Sequence, residues 1–216
     1  MENKILEQIC NCVYEGDDEL ITDYVHEALQ MGIGPRTILE DSLRPAISNV
    51  GRKFRDNEVY VPDVILASAA MKAALTIMQP LLSASHYALG RKVLIGSVEN
   101  DLHDLGKTIV ICSLMAAGFE VVDLGIDVST KQYIDAIEKE KPDILALSCT
   151  LSYTLPYMKK TVHSIRQHPV GSNLKIIVGG LAVNPGFAMD SGADAYAINE
   201  EHIAQLALRM IQESSV

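Results

Sequence analysis

The chain has 216 residues, enough for two modest domains with cores of their own, and its hydrophobic (48%) and charged (21%) shares are those of a folded protein. A net charge of −10 argues against nucleic acid, whose phosphates such a surface repels, and the absence of Trp removes the best stacking side chain. No uninterrupted apolar run reaches membrane-spanning length and the first residues, MENKILEQIC, lack a signal core, so the expectation is a cytoplasmic protein without membrane contact.

The first 88 residues read as helices only. Ile5, Leu6, Ile9 and Val13 form one apolar face over 2–14. Glu15-Gly16-Asp17 closes that helix and starts a second over 17–30. Met31 to Pro35 breaks the chain; a third helix runs to about Phe54, with Pro45 inside it or opening its main segment. Pro62 suits the first turn of a fourth, over 62–79, which Pro80 should kink or end. Short turns between four helices predict a bundle.

From Arg91 the pattern alternates. Strands are expected at 92–97, 120–124, 143–148, 175–178 and 193–196, and helices at 105–117, 130–141, 155–168, 185–191 and 200–213. Apolar strands separated by helices predict a flavodoxin-like, Rossmann-like α/β domain with five parallel strands, covering 89–216. Ligand loops in such a sheet follow the carboxyl ends of the strands, here after Ser97, Leu124, Ser148 and Val178. The linker falls at 85–90.

Cys10, Cys12, Cys112 and Cys149 lack the spacing of a zinc or redox motif and read as reduced space-fillers. The chemistry gathers instead at 96–107, GSVENDLHDLGK, between the first strand and its helix. There His103 lies at the ligand edge, and Asp101, two residues earlier, is close enough to hydrogen-bond its ring, fix the tautomer and raise the basicity of the other nitrogen. A His-Asp pair alone is more often structural, and an HD-type phosphohydrolase would need further ligands on a helical domain. Ser148, ending a strand, and the pair Gly179-Gly180 have equally plain readings taken singly. Lys107 suits either a cofactor phosphate or water.

Together these segments resemble the base-off/His-on cobalamin proteins. DLHDLG (101–106) is similar to that family's DxHxxG, SCTLSYT (148–154) to its serine loop, and Gly179-Gly180 to its glycine pair. The stretch Gly51 to Met71 resembles the family's helical module, so the likeness spans nearly the whole chain. The resemblance implies a helical module before a cobalamin domain, and a corrinoid bound with His103 as lower cobalt ligand, its proton occupancy adjusted by Asp101 and Ser148. Asn100, Leu102, Asp104, Leu105, Gly106, Leu151 and Ser152 would line the cofactor. Tyr60 and Met71 would cover its upper face in the resting state, with Met71 and Met78 otherwise core residues. Departures from the family pattern are Asn100 in place of glycine, Thr150 in place of an apolar residue, Tyr153 in place of a small one and Tyr60 in place of phenylalanine.

The implied activity is methyl carriage. A substrate-specific methyltransferase would load the corrinoid, a second would unload it to a thiol or tetrahydrofolate, and a reductive activase would maintain it. The small subunit of an adenosylcobalamin-dependent isomerase is the alternative, though such subunits generally lack the helical module. A cobalamin-dependent regulator would need a DNA-binding segment. Residues 1–84 are expected to swing about 85–90 when a partner docks, since a permanent cover would block the methyl group.

Overall fold

A computed structural model describes residues 2–84 and 90–213. The expected linker and hinge lie, apart from Gly90, outside them. The chain forms two compact units, one of residues 1–89 with 112–118, the other of 90–111 with 119–216.

The helical unit opens with α1 (Glu2–Glu15) and α2 (Asp18–Gln30). Asp17 caps α2 by accepting the Leu20 N–H at 2.8 Å. The third expected helix is a composite: α3 (Pro35–Ile38), a π turn (Leu39–Leu43) and α4 (Arg44–Arg55). In the π turn the Arg44 N–H reaches back five residues to the Leu39 carbonyl. Pro45 follows at once; it has no N–H to give, and the wider turn brings it into the first turn of α4, where none is needed. After it, α5 spans Val61–Ala84 and continues past Pro80 rather than ending there. Proline's fixed φ is helical, so the cost is one missing hydrogen bond and not the helix. Contrary to expectation, its Val61–Met78 segment is long and apolar enough to cross a membrane, with only the charged Asp63 and Lys72 interrupting the run. Here it is a packing helix, with Val64, Ala67, Ala70, Met71, Ala74, Leu75 and Met78 buried.

The second unit alternates β1 (Lys92–Ser97), α6 (Leu105–Ala116), β2 (Glu120–Asp123), α7 (Thr130–Glu140), β3 (Ile144–Ser148), α8 (Leu155–Gln167), β4 (Lys175–Gly179), α9 (Pro185–Ser191), β5 (Ala195–Ala197) and α10 (Glu200–Glu213). The strands are all parallel, in the order β2-β1-β3-β4-β5. That is the flavodoxin-like order, with its reversal between β1 and β3. The ends of elements differ from expectation by a residue or two, as at Lys141, which terminates α7 in the left-handed conformation (φ 49°).

Strand alternation sorts the sheet into two faces. Leu94, Val98, Leu145, Leu147, Cys149, Ile176 and Val178 pack with Tyr133 and Ile137 of α7 and Met158, Val162 and Ile165 of α8. The intervening positions face the other side, where a right-handed crossover places α6. At the carboxyl ends that second face carries Ser97, Ser148, Gly179 and Ala197, paired in register across four strands. Four small residues thus stand in one row, with Ser97 and Ala197 buried.

Candidate functional site

The loop from β1 to α6 is fixed at both ends before any ligand is considered. The Val98 N–H donates to the Ser148 carbonyl (3.1 Å), tying the reversal point together. Asn100 then turns with φ 67°, a conformation asparagine tolerates better than most residues, so the turn survives without the family's glycine. Its N–H donates to Asp127 Oδ1 at 2.7 Å.

Asp101 follows and is fully buried. Its Oδ1 accepts from the His103 backbone N–H (3.0 Å) and lies 2.8 Å from His103 Nδ1. Its Oδ2 accepts the Thr150 N–H at 2.5 Å. A carboxylate only accepts, so Nδ1 carries the proton and Nε2 the lone pair. The His103 side chain is 52% exposed, which leaves Nε2 accessible. Among the described residues no three His, Cys, Asp or Glu side chains are grouped to enclose an ion; His103 offers a single donor.

Ser148 enters this network through its carbonyl, whereas the second oxygen of Asp101 goes to the Thr150 amide. Position 150 therefore acts through its backbone, which explains why threonine can stand where the family has an apolar residue. Gly180 is required by geometry: at φ 112° a Cβ would lie 2.2 Å from the Cys149 carbonyl oxygen. Gly179 is close-packed too, since a Cβ there would sit 3.1 Å from the Ala197 carbonyl oxygen. The Cys149 thiol lies between the Leu151 carbonyl (3.4 Å) and the Thr154 hydroxyl (3.1 Å). Burial pushes its pKa up, so it is no thiolate nucleophile.

The other expected residues divide. Leu102, Asp104 and Ser152 are exposed and Leu151 half-buried on the segments after β1 and β3, while Leu105 (half-buried) and Gly106 (exposed) open α6. Tyr153 is exposed, its hydroxyl 3.5 Å from the Asn100 carbonyl, so two departures from the family pattern meet. In the helical unit Tyr60 is 70% exposed at the start of α5, whereas Met71 is fully buried with Met78, as core residues are. Lys107 overturns both readings given to it. It is neither solvated nor free for a phosphate, but fully enclosed against Asp104 (2.7 Å) and Asp123 (2.5 Å).

Among the exposed apolar side chains on this edge, sequence reasoning named Leu102 for the cofactor and Tyr153 only as a departure from the family pattern, and missed Ile126, Leu181 and Ile198. Each strand is followed at its carboxyl end by one exposed large residue: Leu102 after β1, Ile126 after β2, Tyr153 after β3, Leu181 after β4 and Ile198 after β5. Leu181, at 90%, is the extreme. A large apolar residue within one to five positions of a strand end was the available signal. Exposed apolar surface gathered on one edge marks a place where something apolar binds.

Comparison with known proteins identifies the family. The family model described as the B12 binding domain matches residues 91–209, and a second model of that description matches 5–79. Trimethylamine corrinoid protein 2 of Methanosarcina acetivorans is 34% identical over 198 residues, covering 90% of this chain and 91% of the relative. A crystal structure of a cobalamin-binding protein from Desulfitobacterium hafniense superposes with a TM-score of 0.70 at 28% identity, over 95% of this chain and 98% of that one. The monomethylamine corrinoid protein of Methanosarcina barkeri does so at 0.62 and 25%, over 97% and 99%.

Proposed function

Since the chain belongs to the B12-binding corrinoid proteins, we propose that it carries a methyl group on the cobalt of a base-off corrinoid whose lower ligand is His103 Nε2. The observation that supports this is the Asp101–His103 pair at the sheet's reversal point, with Nδ1 engaged and Nε2 free. One donor is too few for a bare ion and suits a metal that brings its own equatorial ring. When bound, that group supplies a nucleophilic metal able to take up a methyl group and release it.

The protein's contribution is ligation and orientation. Asp101 holds the imidazole in one tautomer and orientation, and Thr150 holds Asp101. Leu102, Ile126, Tyr153, Leu181 and Ile198 offer an apolar floor to a macrocycle. The small row of Ser97, Ser148, Gly179 and Ala197 is the place we assign to a displaced nucleotide base. Tyr60 is exposed and available as a cover for the opposite face; Met71 would first have to leave its buried place.

A substrate-specific methyltransferase loads the carrier and a second unloads it to a thiol or tetrahydrofolate; a methylated amine is the donor class favoured by the relatives' names. The helical unit supports a carrier over the isomerase subunit, because the match to the relatives includes it.

The ligand assignment is tested by loading the protein with cob(II)inamide, which has no nucleotide base of its own to supply a nitrogen, and recording its electron paramagnetic resonance. Nitrogen-split cobalt lines are expected for the parent. They should be lost in His103→Gly, together with at least about 100-fold of methyl transfer from a loaded partner. Nitrogen splitting retained in that variant overturns the assignment.

A further inference from the structure

We propose that Lys107 is a positioning residue for His103, clamping the loop that carries it to the end of β2. This rests on the reading of His103 as the cobalt ligand. A lysine in the first turn of α6 opposes the helix dipole, which favours carboxylates there, so helix stability does not account for it. Its ammonium is also fully enclosed, a costly state unless it is paired.

The pairing closes a circuit around His103. Lys107 donates to Asp104, the residue after the ligand, and to Asp123 at the end of β2. Asp123 Oδ1 accepts the Gly125 N–H as well (2.9 Å). The Gly125 carbonyl accepts the Ser97 N–H (3.0 Å), and the Ser97 hydroxyl donates to the His103 carbonyl (2.8 Å). Every link from Lys107 to the His103 backbone and back through Asp104 is thus a hydrogen bond, an ion pair or the chain itself.

Asp101 fixes how the ring rotates; this circuit fixes where the ring's backbone stands. With the ammonium removed, Asp104 and Asp123 lose the cation between them and repel. The loop is then released on the α6 side, and Nε2 is presented over a range of positions.

The test compares the parent with Lys107→Met and with Asp123→Asn, which leaves Lys107 paired to Asp104. In the corrinoid-free protein, amides 101–106 should exchange hydrogen about tenfold faster in Lys107→Met, with the β3 and β4 amides changed less, and Asp123→Asn should show a smaller effect in the same direction. With saturating cob(II)inamide, the nitrogen-split share of the signal should fall to a minority in Lys107→Met and fall partly in Asp123→Asn. Unchanged loop exchange with full nitrogen splitting overturns the proposal. So does uniform acceleration across the sheet with full splitting, which is a purely structural role. If Lys107→Met does not fold, Asp123→Asn decides by the same two readings. Splitting that persists in His103→Gly removes the ligand reading instead, and the exchange comparison still judges the clamp.

Discussion

The two edges of one sheet follow opposite rules. At the amino edge, Asp143 pairs with Arg91 (2.7 Å) and accepts the Lys92 N–H (2.8 Å). Asp194 pairs with Arg166 (2.5 Å) and accepts the Ile176 N–H (2.6 Å). Arg166 also donates to the carbonyls of Gly192, Gly171 and Leu174. The polar cleft there, about 480 Å³, is lined by these same groups, which are occupied with one another. At the carboxyl edge Asp101 and Lys107 are paired too, but the buried Tyr133 hydroxyl beside Gly96 has no hydrogen-bond partner, the outermost layer is apolar and exposed, and one imidazole nitrogen is left open. A closed edge contributes to stability; an open one is free to bind, and costs the fold little because its loops bear few of the sheet's contacts.

Three substitutions test that division. The largest effect should come from Gly180→Val, which forces a β-branched residue to φ 112° with its Cβ on the Cys149 carbonyl. Unfolding in urea should show a loss of more than about 3 kcal/mol. A smaller loss would mean that the glycine pair is there for the ligand and not for the backbone. Next is Asp194→Ala at the closed edge. Removing the partner of Arg166 and of the Ile176 N–H should cost about 2 kcal/mol in the same assay. Corrinoid affinity should stay at the parent value, and a parallel loss of affinity would break the comparison. The smallest is Leu181→Ser, which exchanges an exposed apolar side chain for a polar one. Its melting temperature should match the parent's, while corrinoid affinity measured by titration should weaken about fivefold, the worth of roughly 1 kcal/mol of apolar contact. Unchanged affinity would remove Leu181 from the floor.

The amino-acid sequence by itself determined the two halves, the alternation of the second, and the place of His103 at a strand's carboxyl end. These follow from local periodicity, from proline and glycine, and from a motif contained in six consecutive residues. Pro45 and Pro80 show the limit of local rules: each was legible as a disturbance, but a π turn absorbed one and a continuing helix the other, because neighbouring hydrogen bonds can rearrange. The second partner of Asp101 was out of reach, since a backbone N–H such as that of Thr150 leaves no mark on residue identity. So was Lys107, whose two carboxylates come from different loops and whose burial depends on how α6 meets β2. Likewise Leu102, Ile126, Tyr153, Leu181 and Ile198 lie far apart along the chain, and only the parallel stacking of five strands gathers them on one edge. Short-range patterns are set by steric and hydrogen-bonding rules a few residues wide; which groups meet, and which stay exposed, is settled by the strand order and register.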